Sequence, residues 1–403
     1  MEVGSERQLP AMRRKLLAAA GIGFAFSVLC SAAHSGSPEA MVVPSCKTKL
    51  TKQLKALDVP GVAAAIVKDG YLVCAGAAGM ANIEANIPVT PETLFLVASI
   101  SKTVTATALM QLHERGKFKL DDDVNNFLPF RIKIPASPKS PITFRQLLTH
   151  VSSIDDNGAY VNCPGRCGYG SSPIPLVTRG GDSPISLRDF TEGYLKKDGP
   201  HYDADKNFLS KTPGTKYKYS NMGMTLAGLL VEVLAGTPFD KYCQTHIFEP
   251  LGMRKSSWRL AGIDSSILAV PYDKNKFGFI PYGHYGEPDY PDGMLRTSVV
   301  ELARFLAAYM RGGEYEGNRI LKSETLAKML KSQTSISNHQ GLAWYRESID
   351  GRKVWGHEGS DNGASAAMWL DPKENTGVII MANGVSEKEE ALVAKLFEEA
   401  EDY

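Results

Sequence analysis

Apolar positions along this chain change their spacing twice. Near the start, Val62-Ala-Ala-Ala-Ile-Val67 is a continuous apolar run, answered beyond Lys68-Asp69-Gly70 by Tyr71 to Ala77. Two such runs joined by an Asp-Gly turn predict an antiparallel hairpin. Lys47 to Leu57 ahead of it predicts a helix, ended by Asp58-Val59-Pro60-Gly61. From Ser101 the spacing becomes helical and runs through Leu112, with Gly116 where a helix would close. Leu120 to about Arg259 stays helical and loop-rich, with a short helix at Thr143–His150 and others at Met224–Ala235 and Pro238–Phe248. Between them, Gly158 to Ser186 is crowded with Gly, Pro and Ser, and a loop that long in an ordered domain is more often a lid or mouth than idle. Ser298 to Met310 is amphipathic and stops at Gly312-Gly313. Short apolar runs then return at Gly341–Glu347, Lys353–Trp355, Ala364–Leu370 and Gly377–Met381, before a closing helix at Glu387–Glu399.

Strands at both ends with helices between them predict an α+β fold. One antiparallel sheet, built from both termini and flanked by helices, would carry an inserted, mostly helical region. The expected lobes are 46–95 plus 290–403 for the sheet and 96–289 for the helices, with the site at their seam.

The 403 residues are 43% hydrophobic, ample for such a core, and carry a formal charge of +1 with no basic run in the mature part. Nucleic acid is therefore not an expected partner. Arg13-Arg14-Lys15, the apolar stretch Leu16–Cys30 and the small residues Ser31-Ala32-Ala33 read as a secretory signal over 1–33. A Ser/Pro-rich linker follows over 34–45. The paired arginines suit a twin-arginine route, and the expected location is periplasmic or secreted. An uncleaved anchor is the alternative, against which the apolar run is short for a bilayer span. No membrane span is expected in the mature chain. Cleavage would leave Cys46, Cys74, Cys163, Cys167 and Cys243, an odd number, so at least one stays free or pairs between chains. Cys163 with Cys167 and Cys46 with Cys74 are candidate pairs, and no spacing suits a metal site.

The chemistry starts at Ser99. Lys102 stands three residues on, at the head of the helical stretch, and residues three apart share a helix face. A serine becomes nucleophilic when a base takes its proton, and a desolvated lysine amine within reach can do so. Alone, Ser-x-x-Lys arises by chance roughly once in a chain this long. A second element is Tyr219-Ser220-Asn221 at a helix start, preferred to the rival Tyr160-Val161-Asn162, which no helix follows. Tyr219 beside Lys102 would shuttle the serine proton, provided burial and coupling move both groups by about 3 pH units from their ordinary values near ~10. A third is His357-Glu358-Gly359-Ser360, between strand-like runs, where the N–H groups of Ser360 and Ser99 would form an oxyanion hole and Gly359 would admit the substrate closely. His284-Tyr285-Gly286 has the same form but Pro-rich flanks.

Taken in order, Ser99/Lys102, Tyr219/Asn221 and His357/Gly359 resemble the Ser-x-x-Lys, Tyr-x-Asn and Lys/His-x-Gly elements of the serine β-lactamase and penicillin-recognising family. That family includes class C β-lactamases, D-alanyl-D-alanine carboxypeptidases, D-aminopeptidases and family VIII esterases. The resemblance extends to Leu147–His150, Phe248–Met253 and Gly312–Leu321, and so covers most of the chain from about residue 46. It implies a β-lactamase/transpeptidase-like fold and an acyl-enzyme on Ser99, with Lys102 and Tyr219 moving protons. It implies further that Asn221 holds the acyl side and that neither metal nor organic cofactor takes part.

Glu358 departs from the pattern, because β-lactam-handling relatives carry a threonine there. A carboxylate in that place would repel an anionic substrate by about 1 kcal/mol or more. The expected activity is therefore cleavage of a small-molecule ester or amide lacking a strongly bound carboxylate. β-Lactamase or D,D-carboxypeptidase action is the near alternative. A penicillin sensor or cell-wall-binding module that acylates without turnover is the alternative of another class.

Overall fold

In the computed structural model, residues 52–156 and 176–403 are described. Seven antiparallel strands form the main sheet. They are β1 (Gly61–Lys68), β2 (Tyr71–Asn82), β3 (Ile87–Pro88), β4 (Tyr345–Ile349), β5 (Arg352–Asp361), β6 (Ala364–Asp371) and β7 (Thr376–Ala382), in the spatial order β4-β5-β6-β7-β1-β2-β3. The first and last strands of the chain thus meet at the sheet centre, with Val62 opposite Ala382 and Lys68 opposite Thr376. The expected α+β sheet built from both termini is what forms. No single helix among the described residues is long and apolar enough to cross a membrane.

The continuous apolar run in β1 has a physical cause: both faces of the sheet are covered. Ala63, Ala65 and Val67 face one core cluster, shared with Val299–Met310, while Val62, Ala64 and Ile66 face the other, shared with Leu392, Val393, Leu396 and Phe397 of the closing helix. The β1–β2 turn places Asp69 at φ 52° and Gly70 at φ 77°, as an Asp-Gly hairpin turn requires. Cys243 is free and buried, and Cys74 is disulfide-bonded to a partner outside the described residues, where the expected Cys163–Cys167 pair also falls.

Two helices carry the site. The first, α1 (Ser101–Glu114), is buried from Ser101 to Leu112 although half of that stretch is polar, so its polar side chains need partners inside the protein. Its internal hydroxyls are satisfied: Thr103 donates to the Ile100 carbonyl at 2.7 Å within the same turn, and Thr105 to the distant Pro291 carbonyl at 2.5 Å. The second, α2 (Asn221–Ala235), starts three residues earlier than its apolar spacing suggests. Ser220 caps it by accepting the Gly223 N–H at 2.9 Å, and Gly236 closes it at φ 69°.

Candidate active site

Ser99 lies in a single 3-10 turn, Ala98–Ile100, between the short strand Phe95–Leu96 and α1. Ala98 is held at φ 45°, a left-handed conformation uncommon for a residue with a Cβ. The main chain that bends there passes directly under β5. A Cβ built on Gly359 would lie 2.2 Å from the Val97 carbonyl oxygen and 3.1 Å from the Ser99 nitrogen. Glycine at 359 therefore lets two segments of protein backbone meet, beyond the substrate approach anticipated for it. The strand around it is also longer than its apolar run: β5 continues through His357 and Gly359 to Asp361, and pairs Gly359 with Ala366 and Ser360 with Ser365.

Lys102 is fully buried and donates to Ser99 Oγ at 2.8 Å. Its other contacts are the Asp292 main-chain oxygen at 2.8 Å and Asp292 Oδ2 at 3.1 Å. Burial alone would push the ammonium down, but Asp292 and Tyr219 outweigh it and hold Lys102 above its ordinary value. The Tyr219 ring centroid is 5.1 Å from Lys102 Nζ. Burial raises the phenol above its ordinary value, against the pull of Lys102 and Ser99. The downward shift that a lysine or tyrosine base would need is thus absent from both groups.

Tyr219 is fixed from several sides. Its ring lies 4.4 Å from that of His150 and 6.1 Å from that of His357. His150 Nδ1 accepts the Ser220 N–H at 3.2 Å. Asp156 accepts from Asn221 N at 2.7 Å, Met222 N at 3.0 Å and Ser220 Oγ at 2.9 Å, tying down the start of α2. Burial lifts the Asp156 carboxyl to about 6 despite those bonds. His357 is buried, its Nδ1 bonds the Glu358 carbonyl at 2.5 Å, and burial and Lys102 push it down to about 3. The third element therefore presents a neutral imidazole and no cation.

Two cavities open on Ser99. One, of about 680 Å³, is lined by Ser99, Tyr219, His357, Gly359 and Ser360 together with Glu347, Glu358, Glu387, Glu389 and Glu390. Burial, then Glu347 and Glu390, raise the Glu358 carboxyl, and burial with Glu358 lifts Glu389 to about 7. The other, of about 520 Å³, is lined by Ser99, Asn221, Ser360, Asp273, Glu287, Asp292 and Asp361. Asn221 Oδ1 is buried there and meets no hydrogen-bond partner among the described residues. So Ser99, Lys102, Tyr219, Asn221, His357, Gly359 and Ser360 converge. The rival Tyr160 lies outside the described residues, and His284 is not among the residues lining either cavity. Sequence reading missed Asp292 and Asp156. His150 was visible only as part of the Leu147–His150 resemblance. Among the described residues no cluster suits a metal ion.

The Beta-lactamase family model matches residues 47–400. The chain belongs to this family. Among curated members it is 24% identical over 342 residues to Protein flp of Staphylococcus aureus (strain N315), covering 84% of this chain and 62% of that protein. Its fold matches the octameric penicillin-binding protein homologue from Pyrococcus abyssi at TM-score 0.69 and 27% identity, over 87% of this chain and 75% of the other. It also matches the D-amino acid amidase of Ochrobactrum anthropi SV3 at TM-score 0.69 and 20% identity, over 88% and 97%. The family's serine-hydrolase chemistry fits the convergence on Ser99.

Proposed function

We propose that this protein is a serine hydrolase working through an acyl-enzyme on Ser99, and that it cleaves small esters or amides that are neutral or cationic. The observation that carries the substrate class is the ring of five glutamates around the cavity beside Ser99, which no lysine or arginine among the described residues lines. Ser99 Oγ attacks the carbonyl while Lys102 and Tyr219 move its proton, and the N–H groups of Ser99 and Ser360 receive the oxyanion. Asn221, with its unpaired amide oxygen, orients the acyl side. Water then releases the acyl group. A carboxylate such as that of penicillins or D-Ala-D-Ala peptides meets Glu358 where those substrates need a cation or hydroxyl. The neutral His357 does not compensate. The basic, apolar and small-residue order of the N-terminus supports export.

Intact mass of the full chain, followed over time with short aryl esters that are anionic, neutral or ammonium-bearing and with a penicillin, tests the reading. The expected result is transient Ser99 acylation and turnover of the neutral and cationic esters, absent in Ser99→Ala. Faster turnover of the penicillin than of the neutral ester would overturn the substrate class, and a stable penicillin adduct would favour the sensor reading.

A further inference from the structure

Lys102 has no N–H to spare. An ammonium carries three donors, and here they reach Ser99 Oγ, the Asp292 carbonyl and Asp292 Oδ2. The lysine thus rests as a cation, donating to the serine whose proton it is expected to accept. Tyr219, the other group at the serine, is a protonated phenol at neutral pH, and the imidazoles of His150 and His357 are pushed far below neutrality by burial and by Lys102. Of the side chains in direct contact with Lys102, the one that holds no proton is the carboxylate of Asp292.

We propose that Asp292 is a positioning residue that takes the proton of Lys102, so that lysine becomes the amine that deprotonates Ser99. The inference rests on the acyl-enzyme reading above. In the first step a proton crosses from Nζ to Oδ2, leaving an amine and a carboxylic acid. The amine lone pair then takes the Oγ proton as Oγ bonds to the substrate carbonyl carbon, and the carbonyl π pair moves onto oxygen. As the tetrahedral adduct collapses, the bond to the leaving group breaks and the Lys102 proton passes to that group. The acid proton returns from Asp292 to Lys102, restoring the starting charges.

Burial favours this exchange, since it opposes both charges of the resting pair and raises the Asp292 carboxyl, whereas the attraction between the two charges opposes it and holds Lys102 above its ordinary value. The other titratable groups facing the pair are Tyr219 ahead of α2, Asp156 at its cap, Asp361 at the end of β5, and His150 and His357 around Lys102. The two further carboxylates oppose ionisation of Asp292 and act in the same direction as burial.

The test is the rate at which a neutral fluorophosphonate modifies Ser99, read by intact mass from pH 5 to 10. The full-length wild type, Asp292→Asn and Asp292→Ser are compared, each checked for a cooperative unfolding transition. Asparagine keeps the shape and can still accept from Lys102, but cannot take its proton. The expected wild-type rate holds across neutral pH and falls only in acid, as Asp292 takes a proton from solvent. In both variants it falls about 10²-fold at pH 6 and recovers towards pH 9, once Lys102 loses its own proton. Asp361→Asn should move the wild-type acid limb downward, by removing a like charge. A uniform fall in the Asp292 variants, with the acid limb unmoved, would reduce the residue to a structural contact and overturn the proposal. A faster Asp292→Asn, or a limb moved to lower pH, would mean that Asp292 merely over-stabilises the ammonium, and would also overturn it. A wild-type limb above pH 8 does so without any variant. If folded wild type is unlabelled at every pH, the nucleophile assignment itself falls, and the proposal with it.

Discussion

Gly359→Ala separates the backbone contact under the nucleophile from every other feature of the site. The new Cβ would stand 2.2 Å from the Val97 carbonyl oxygen, where ordinary contact needs more than ~3 Å, so β5 and the Ala98–Ile100 turn must part by about 1 Å. Overpacking of this kind costs about 1–3 kcal/mol of stability. The same movement spreads the N–H groups of Ser99 and Ser360, and a 1 Å misplacement at reacting atoms costs about 10²-fold in rate. Gly356→Ala is the control: its Cβ would meet the Met368 carbonyl at 2.0 Å and the Trp369 ring at 2.5 Å, on the same strand but away from Ser99. Urea unfolding and kcat/KM on a neutral aryl ester should therefore split the two. Both variants lose stability, and Gly359→Ala alone loses about 10²-fold in kcat. If Gly359→Ala unfolds as easily as Gly356→Ala yet keeps kcat within about threefold, the contact does not set the geometry of the reacting groups.

Glu358→Thr removes a carboxylate that burial and Glu347 already hold in an unfavourable state, and the rate of penicillin acylation by mass should rise about fivefold, the equivalent of ~1 kcal/mol. No rise would count against the repulsion argument. Asp156 makes stability fall with rising pH. Its carboxyl sits at about 6 in the folded chain against an ordinary 3.8, so the native state holds the proton more tightly than the unfolded one. Its contribution is least unfavourable below about pH 4 and is lost by up to ~3 kcal/mol as pH rises through about 6. Urea unfolding at pH 5 and pH 7.5 should show Asp156→Asn flattening that slope. Activity should drop about tenfold as Tyr219 and Asn221 loosen, and a slope unchanged by the substitution would refute the assignment.

The sheet was legible because its central strands are buried on both faces, so that Val62–Val67 and Gly377–Met381 had to be apolar throughout. The helices from Ser101, from Phe144, from Val299 and from Glu389 were legible from their spacing, whereas Leu187–Leu195 and Ser323–Met329 were not anticipated and polar residues at α2's start hid its first turn behind a capping serine. β5 was legible only as far as Trp355. Beyond it, Gly356-His357-Glu358-Gly359 reads as a turn, since strands disfavour glycine. Both glycines are there because backbone or an indole ring occupies the space of a Cβ. Ser99, Lys102, Tyr219 and Asn221 were visible through spacing at a helix head. Asp156 and Asp292 were not, because Pro291-Asp292-Gly293 looks like any surface turn. Its partner Lys102 is 190 residues away.

The same limit bears on the substrate charge proposed above. Forty-five basic and forty-four acidic residues nearly cancel along the chain, so composition predicts no preference for ligand charge. The fold undoes that balance locally. It sets Glu347, Glu358, Glu387, Glu389 and Glu390 on one side of Ser99, and Asp273, Glu287, Asp292 and Asp361 on the other. Among the described residues, the cations near them include Lys102, buried against Asp292, Lys274, paired with Asp58, and the buried Arg296, whose charge acts on Glu287 and Asp361. Charges a few ångströms from a partly desolvated site act far more strongly than the same charges spread over a wet surface, where salt screens them within about 10 Å. On the proposed function, a neutral or cationic ester or amide would approach Ser99 down a favourable field and a carboxylate against one, although the chain as a whole is nearly neutral.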